Sequence, residues 1–347
     1  MTALASRSSR VVTITGPKQV AVVDEAVGAP GPGEILVRAL YSGISAGTEM
    51  NVYRGVAPQW SKKRDPDTGL FVATDVPEWQ YPLAYGYALV GQIEGCGAGV
   101  EDLAVGDRVF AYVPHRTFAV VPRDEVVPLP SEIPPRRGVL LANTTTALNG
   151  VLDARPSYGD VVVVSGLGVI GLLVTRFAAR CGATVVAVDN VGWRREVASH
   201  FGAAHVLAPS HGVAETVRRL TDNRGADTAI EVSGASAAFA EAIRAVGYEG
   251  LVVAMSWYGG SFSDLDLGAE FHHNRVRIVS SQVDNIGSSR GPLWTRARRR
   301  QLALETLTSP ELDVLLTHDF PVDEAADAYE AVDRLAEGLI QATIRYP

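Results

Sequence analysis

Residues 161–189 read VVVVSGLGVIGLLVTRFAARCGATVVAVD, and the glycines in this series have the spacing of a phosphate-binding turn. The valines at 161–164 are apolar on both faces, as a central parallel strand requires. Gly166 permits a tight turn, Gly168 lets the backbone approach a pyrophosphate, and Gly171 lets the next helix pack closely. The first amides of that helix would face the phosphates. The pattern predicts a dinucleotide site rather than a glycine turn without a ligand, formed by Gly166, Leu167, Gly168, Val169 and Ile170.

Asp189 ends the second strand of this series, 18 positions (189 − 171) after Gly171. At that distance a carboxylate hydrogen-bonds the 2′-hydroxyl of an adenosine ribose and repels a 2′-phosphate. Asp189 therefore favours NAD(H) over NADP(H). Arg194 and Arg195 follow closely and could receive a 2′-phosphate. Their alternatives are a solvated first helical turn or an arginine that packs on the adenine face.

The elements around this turn predict a chain of three segments. From Val11 to about Pro130, short strands separated by Gly/Pro turns predict an all-β block. From about Gly150 to Val283, six strands alternate with helices, which predicts a doubly wound parallel sheet. The rest predicts a helix over 294–307, a strand near 315–320, an amphipathic helix over 325–337 and a closing strand. We expect domain bounds at 1–149, 150–285 and 286–347.

Composition limits the classes of partner. The chain has 347 residues, 47% of them hydrophobic, and a net charge of −8, which argues against nucleic acid as a main partner. The basic run at 296–300 is interpreted as a solvated helix face. Cys96 and Cys181 make neither a disulfide framework nor a zinc cluster. The N-terminus MTALASRSSR has no apolar segment typical of a secretion signal, and no apolar stretch reaches the ~20 residues of a membrane span. We expect a cytoplasmic protein without a membrane partner.

Motifs along nearly the whole chain resemble the medium-chain dehydrogenase/reductase superfamily. They are PGPGEILVRALYSGIS, VGDRVF, TTTALNG before the first strand of the parallel sheet, and EAADAYEAVDR with LIQATIRY at the end. SGISAGTE, YPLAYGY and VSSQV are most similar to the branch that contains bacteriochlorophyllide a dehydrogenase and zinc-less relatives. The resemblance implies a GroES-like catalytic domain, a six-stranded Rossmann domain, a C-terminal return to the first domain and an active site in the cleft between them. It also implies a homodimer that pairs through the edge strand RVRIVSSQV.

The zinc ligands of the superfamily's alcohol dehydrogenases are missing at the matching positions. Ser45 and Ala46 stand where a cysteine is expected, and Ala142 stands at the third ligand position. Tyr87, in Gly-Tyr-Ala, replaces the histidine of a GHE motif. The four-cysteine lobe is also absent, because GDRVFAYVPHRTFAVVP runs directly between strands. Serine, tyrosine and alanine do not form the shell that zinc prefers, so we expect no metal.

Without zinc, a side chain must handle the proton that accompanies hydride transfer. Tyr87 is a candidate acid or base with a depressed pKa, or a buried core tyrosine. Thr48 matches the hydroxyl that relays a proton in zinc relatives. Glu49 is either a base or the partner of an arginine. His115 has a suitable ordinary pKa, although a surface-loop histidine is the alternative.

Further positions follow from the resemblance. The cofactor would contact Thr146, Ser233, Gly234, Met255, Ser256, Ser281 and Gln282, whose alternative is packing at strand ends. Asn143 would reach the substrate. The insertion APQWSKKRDPDTGLFVATDVPEWQ carries Trp60, Phe71 and Trp79, which would cover a ring-shaped substrate or simply pack on the β domain. Its Lys62, Lys63 and Arg64 would meet an anionic group or form a solvated loop tip.

Three functions compete at this point. The first is NAD(H)-dependent, zinc-independent interconversion of a secondary alcohol and a ketone on a polyol, cyclitol, sugar-like or tetrapyrrole-like substrate. The second is reduction of a C=C bond in an enone, enoyl thioester or quinone, which usually uses NADPH and is disfavoured by Asp189. The third is a non-enzymatic nucleotide-binding protein that uses its redox state as a signal.

Overall fold

The computed structural model describes residues 7–262 and 265–347. The first six residues of the N-terminal segment, on which the expectation of no secretion signal depends, lie outside the described residues. The chain divides into two compact units. Unit 1 contains the chain up to Ala142 together with Leu307–Pro347, and unit 2 is Asn143–Thr306. The domain bounds expected from the sequence stay a prediction.

The first part of unit 1 is built mainly of short strands, as the sequence predicts. The strands are β1 (Arg7–Gly16), β2 (Gln19–Val27), β3 (Glu34–Gly43), β4 (Lys62–Arg64), β5 (Phe71–Ala73), β6 (Leu83–Ala84), β7 (Leu89–Cys96), β8 (Arg108–Ala111), β9 (Phe118–Pro122) and β10 (Val126–Pro128). The helices are α1 (Thr48–Tyr53) and α2 (Pro135–Gly138), with 3-10 turns at Pro58–Trp60 and Arg123–Glu125. Only six residues, 112–117, separate β8 from β9.

The next helix, α3 (Leu141–Ala154), leads into the strands and helices of unit 2. The strands are β11 (Val161–Ser165), β12 (Thr184–Val188), β13 (His205–Leu207), β14 (Ala226–Glu231), β15 (Val246–Ala254) and β16 (Arg277–Ser280). The helices are α4 (Val169–Arg180), α5 (Gly192–His200), α6 (Val213–Leu220), α7 (Ser236–Ala245), α8 (Glu270–His273) and α9 (Arg296–Leu307), with 3-10 turns at Pro209–His211 and Ser288–Leu293.

The six strands of unit 2 form one parallel sheet in the order β13-β12-β11-β14-β15-β16. This is the doubly wound order 3-2-1-4-5-6, in which strand order reverses beside β11. Valines such as Val163 and Val186 are fully buried, because helices cover both faces of such a sheet. The strand–helix alternation predicted from the sequence is therefore confirmed, and the carboxyl ends of β11 and β14 lie side by side.

The C-terminal segment returns to the strands of unit 1. It comprises a 3-10 turn at Pro310–Leu315, β17 (Leu316–Pro321), a second turn at Val322–Glu324, α10 (Ala325–Asp333) and β18 (Gln341–Arg345). The strand β18 pairs with β3 and with β17 in a sheet ordered β10-β8-β7-β3-β18-β17, to which β9 adds by pairing with β3. Ile35 and Val37 of β3 are fully buried in its core, which fixes the register of this strand.

Two smaller sheets complete unit 1. One has the order β2-β1-β6, and the other is the hairpin β4-β5 in the insertion. All six residues of this hairpin are exposed. Among the described residues, no helix combines the length and the apolar character needed to cross a bilayer.

Candidate nucleotide and active sites

The glycine turn of unit 2 has the geometry that its sequence predicts. Gly166 has φ +95°, and a Cβ there would lie 2.7 Å from the backbone of Ser233. Only glycine therefore fits this turn. Gly168 precedes α4, and a Cβ there would meet no atom within 4 Å, so the backbone is open to a phosphate. Val169 and Ile170 begin α4, whose first amides have no partner within the helix.

Asp189 clamps this turn through its carboxylate. Leu167 donates its amide to Oδ2 at 2.7 Å, and Val191 donates to Oδ1 at 2.8 Å. Because Leu167 is fully buried and its amide is engaged, we expect it to shape the turn rather than to touch a phosphate. Asp189 remains partly exposed, and each carboxylate oxygen keeps accepting capacity for a ribose hydroxyl.

The two arginines after Asp189 have different environments. Arg195 is partly exposed and donates to the carbonyl oxygens of Asp189 and Asn190, at 2.6 and 3.0 Å. Arg194 is only 8% exposed and lies with its guanidinium 5.6 Å from the ring of Trp193. Burial lowers the pKa of Arg194. The expectation that Arg194 forms a solvated helical turn is therefore wrong, because its side chain is packed inside unit 2.

A buried carboxylate that the sequence analysis did not single out organises the neighbouring loop. Glu231 is fully buried at the end of β14, and its Oε1 accepts from the amides of Ser233 and Gly234, at 2.6 and 3.0 Å. Its Oε2 accepts from the hydroxyl of Tyr258 at 2.6 Å. Ser256 hydrogen-bonds the same tyrosine. Glu231 thus holds two predicted cofactor residues beside Gly166.

A second residue that the sequence analysis did not single out, Asn149, holds the end of β16 in place. Asn149 is 1% exposed, and its Nδ2 donates to the hydroxyl of Ser281 at 3.0 Å and to the carbonyl of Gln282 at 3.3 Å. Its Oδ1 accepts from the buried Arg299, which also donates to the carbonyl of Val283 at 2.6 Å. Arg299 belongs to the basic run 296–300, which the sequence analysis interpreted as a solvated helix face. That interpretation is wrong for Arg299, because its side chain is only 4% exposed.

The other predicted residues of unit 2 lie at strand or helix ends. Gln282 is exposed, and its Nε2 donates to Asp284 at 2.7 Å. Met255 packs its sulfur against Gly150, where a Cβ would lie 2.2 Å away. Asn143 and Thr146 lie on α3, the first buried and the second partly exposed.

The predicted catalytic residues of unit 1 meet around α1. Ser45 and Thr48 both hydrogen-bond the phenol of Tyr87 through their side chains. All three are partly exposed. Burial, followed by the nearby charge of Glu49, raises the pKa of Tyr87 to about 12. The expectation of a depressed pKa is therefore wrong, and the phenol of Tyr87 is protonated at neutral pH.

Glu49, the chain neighbour of Thr48, and His115 both have fully buried side chains. Nε2 of His115 lies 2.9 Å from Oε2 of Glu49, and the hydroxyl of Tyr329 donates to the same oxygen at 2.8 Å. The amide of Ser45 donates to Oε1 at 2.9 Å. Among the described residues, Glu49 therefore binds an imidazole, a phenol and an amide rather than an arginine. His115 is a core residue and not a surface-loop histidine, because it fills the space beside β3.

Aromatic rings continue from Tyr87 into the insertion. Tyr87 meets Tyr85 edge to face with centroids 6.5 Å apart, and Tyr85 lies 5.4 Å from Trp79. Trp79 lies 5.9 Å from Trp60, which stacks on Tyr81 at 4.1 Å. We call these five residues the aromatic ladder. The predicted third aromatic residue, Phe71, lies on the exposed hairpin, as do Lys62, Lys63 and Arg64.

The donor set near Tyr87 does not fit a zinc ion. The groups that meet here are the hydroxyls of Ser45 and Thr48 and the phenol of Tyr87. Zinc in proteins is instead bound by thiolate, imidazole and carboxylate groups. Glu49 and His115 have such groups but are hydrogen-bonded to each other inside the core. In the described part of the chain, no three His, Cys, Asp or Glu side chains are grouped to hold a metal ion.

The sequence and the fold both match known dehydrogenases. Residues 31–131 match the family described as "Alcohol dehydrogenase GroES-like domain", and residues 169–298 match "Zinc-binding dehydrogenase". The chain is 30% identical over 310 residues to the D-guloside 3-dehydrogenase of Escherichia coli K12, covering 86% of this chain and 88% of that protein. These matches confirm the predicted fold class, a GroES-like domain with a Rossmann domain.

Two solved structures share this fold. A dehydrogenase from Sinorhizobium meliloti 1021 bound to NADP has a TM-score of 0.77 at 20% identity, covering 98% of this chain and 99% of that chain. A short chain alcohol dehydrogenase from Escherichia coli CFT073 complexed with NADH also has a TM-score of 0.77 at 20% identity, covering 98% and 100%. At this identity the likeness concerns the fold.

Proposed function

Since this chain belongs to the zinc-type alcohol dehydrogenase-like superfamily of medium-chain dehydrogenases/reductases, we propose that it interconverts a secondary alcohol and a ketone with NAD(H) and without zinc. The substrate is a polyol, cyclitol or sugar-like ring. The observation that carries this proposal is the phenol of Tyr87, which two hydroxyls hydrogen-bond where the superfamily has a metal ligand. On this proposal the chain stands with the zinc-less members of its superfamily.

Tyr87 acts as the acid in ketone reduction. The nicotinamide nucleotide, when bound, supplies the hydride to the carbonyl carbon. Tyr87 then gives its phenolic proton to the carbonyl oxygen, so that an alcohol and a phenolate result. Hydrogen bonds from Ser45 and Thr48 stabilise the phenolate until water returns the proton. The reverse reaction needs the phenolate, which is scarce at neutral pH when the pKa is about 12.

The choice of NAD(H) rests on Asp189. Its carboxylate is held at the glycine turn by the amides of Leu167 and Val191. A 2′-phosphate would be repelled by this carboxylate, whereas a 2′-hydroxyl would donate to it. Arg195, on α5, follows Asp189 closely, but its guanidinium already donates to the backbone carbonyls of Asp189 and Asn190. Because solved neighbours carry either nucleotide, the preference must be measured on this protein.

The ring character of the substrate is supported by the aromatic ladder. Trp79, Tyr85 and Tyr87 are each partly exposed and in contact, so a continuous aromatic surface extends from the proposed acid. Apolar faces of sugar and cyclitol rings pack well on such surfaces. The relative at 30% identity is named for a guloside, a sugar-based substrate.

We also propose a homodimer that pairs through β16. This strand lies at the edge of the parallel sheet, and all four of its residues are exposed. An uncovered edge of this kind presents free backbone groups that a second copy can satisfy.

A substrate panel tests the proposal. The purified protein is mixed with NADH and either cyclic ketones, including oxidised sugars, or enones and quinones, and NADH absorbance is followed. We expect turnover with ring ketones and a loss of at least about a hundredfold in Tyr87→Phe. Tyr158→Phe is the matched control, since Tyr158 is 92% exposed. Turnover with enones alone would replace the proposal by C=C reduction, and binding of NADH without any turnover would favour the signalling alternative.

A further inference from the structure

A hydrogen-bonded line of five side chains, four of them fully buried, lies close to Tyr87. It consists of Tyr346, Ser42, His115, Glu49 and Tyr329. We propose that this line, called here the buried relay, holds a negative charge on Glu49 and thereby keeps Tyr87 in its proton-donating form. Ser42, His115, Tyr329 and Tyr346 are then positioning residues, and the inference rests on the proposed role of Tyr87.

The contacts of the buried relay are continuous. The hydroxyls of Tyr346 and Ser42 are 2.7 Å apart, and Ser42 is 2.7 Å from Nδ1 of His115. The imidazole reaches Glu49 through Nε2 at 2.9 Å, and Tyr329 closes the line at 2.8 Å. Ser42, His115, Glu49 and Tyr329 are all fully buried. The side chains of His115 and Tyr329, distant in sequence, therefore converge on the carboxylate of Glu49.

One assignment of protons satisfies every atom of this line. The oxygens of Glu49 are contacted by the imidazole of His115, the phenol of Tyr329 and the amide of Ser45. Of these three groups, the amide can only donate a hydrogen bond. A carboxylate only accepts, so it suits three donors. If His115 donates through Nε2, its Nδ1 accepts from Ser42, which in turn accepts from Tyr346. The backbone amide of Arg116 hydrogen-bonds the phenol of Tyr346, so the residue at this end of the line also has a hydrogen-bond donor for its oxygen.

Ser45 connects the buried relay to the proposed acid. Its amide donates to Glu49 at 2.9 Å, and its side chain hydrogen-bonds Tyr87. Thr48, the neighbour of Glu49 in the chain, hydrogen-bonds the same phenol. A negative charge this close disfavours a second negative charge on the phenol.

The neighbouring phenols Tyr85 and Tyr329 also have raised pKa values. Tyr85 packs against the ring of Tyr87, and burial followed by Tyr87 and Glu49 raises the pKa of Tyr85. Burial, with Glu49 next, also raises the pKa of Tyr329. At neutral pH these phenols are uncharged, so Glu49 is the anion that acts on Tyr87. The buried relay thus favours reduction of a ketone over oxidation of an alcohol.

The test removes the charge while keeping the shape. Glu49→Gln is isosteric, and Tyr329→Phe removes one donor to the carboxylate. Tyr53→Phe is the matched control, because Tyr53 is a buried tyrosine beside Tyr329 whose hydroxyl donates to the carbonyl of Lys18 instead. Each protein is titrated by the ultraviolet absorbance of tyrosinate, with and without Tyr87→Phe, so that the difference reports Tyr87 alone. Alcohol oxidation is measured over the same pH range.

We expect Tyr87 to ionise only near the alkaline end of the titration, at about pH 12, in the wild type and in Tyr53→Phe. In Glu49→Gln its ionisation should move down by about one pH unit, with a smaller move in Tyr329→Phe. Alcohol oxidation below that pH should rise by up to about tenfold in Glu49→Gln. Unchanged ionisation of Tyr87 in both variants would overturn the inference.

The absorbance titration needs no substrate, so the two proposals fail separately. If Tyr87 shifts as expected but no alcohol or ketone reacts, the proposed function is wrong while the electrostatic link stands. If ketones react and Tyr87→Phe abolishes turnover but Glu49→Gln matches Tyr53→Phe, the function stands and the buried relay has no such role. Circular dichroism of each variant identifies one that has not folded, and Tyr329→Phe then decides the result.

Discussion

The backbone of Gly86 lies against the imidazole of His115, so that a Cβ at position 86 would sit 2.7 Å from Cδ2 and 2.8 Å from Nε2 of that ring. Gly86 also has φ +130°, which disfavours any side chain. Since Nε2 is the atom that reaches Glu49, this glycine gives the buried relay the space it occupies.

Gly86→Ala should destabilise the fold. We expect a loss of about 2 to 4 kcal/mol in the free energy of unfolding, from overpacking and backbone strain together. Urea denaturation measures it, with Gly28→Ala as the control because a Cβ at Gly28 meets nothing within 4 Å. Equal stability of the two variants would contradict the packing described here.

Around neutral pH, ionisation of Tyr87 should affect alcohol oxidation but not ketone reduction. Ketone reduction uses the phenol of Tyr87, whose pKa burial and Glu49 raise to about 12, so it should be independent of Tyr87 ionisation at neutral pH. Alcohol oxidation uses the phenolate and should rise about tenfold per pH unit until that pKa. Initial rates in both directions, from about pH 6 to the highest pH at which the protein stays folded, measure this. An oxidation rate that levels off near neutral pH would assign the base to another group.

Asp189→Asn should weaken the preference for NAD(H). The amide can accept only through one oxygen, so one of the two backbone amides loses its acceptor, and the charge that repels a 2′-phosphate disappears. We expect NADH to bind about tenfold more weakly, with little loss or a gain for NADPH. Titration calorimetry compares the two nucleotides. Tighter binding of NADPH than NADH by the wild type would refute the assignment.

Glu231→Ala should damage the nucleotide site from a distance. The change leaves the amides of Ser233 and Gly234 and the hydroxyl of Tyr258 without their buried acceptor. We expect a loss of about 3 kcal/mol or more in stability and weaker NADH binding. Glu249→Ala is the control, since its ion pair with Arg275 is exposed and contributes little. If both variants bind NADH like the wild type, Glu231 has no part in shaping the site.

A charge on the free edge of β16 should separate the proposed dimer. Val279 is 39% exposed on this strand. We expect light scattering to give twice the monomer mass for the wild type and the monomer mass for Val279→Asp. A wild-type protein with the mass of a monomer would contradict the proposed homodimer.

The parallel sheet and its glycine turn were predictable because their signals are local. Repeated strand–helix alternation and the spacing of Gly166 to Asp189 report backbone geometry directly. Glu231, Asn149 and Arg299 were missed because a buried polar residue is recognisable only once its partners are known. Tyr258 lies 27 positions from Glu231, and Arg299 lies 150 positions from Asn149.

For unit 1 the sequence pointed to candidate residues, but it could not predict what surrounds each of them. Motifs of the family pointed to Tyr87, Thr48 and Glu49, and the ordinary pKa of histidine pointed to His115. They gave no account of burial, which raises the pKa of Tyr87 where a depressed pKa was expected and encloses the side chains of Glu49 and His115 in the core. Tyr329 and Tyr346 lie about 280 positions or more after Glu49, and only tertiary packing joins them.

Single-turnover kinetics on protein dialysed against a chelator tests the central claim most directly. Metal-depleted wild type is mixed with NADH and a ring ketone, and Tyr87→Phe is run beside it. We predict full NADH consumption without added metal and a rate at least about a hundredfold lower in the variant. A reaction that returns only when zinc is restored, or a variant as fast as the wild type, would contradict the account.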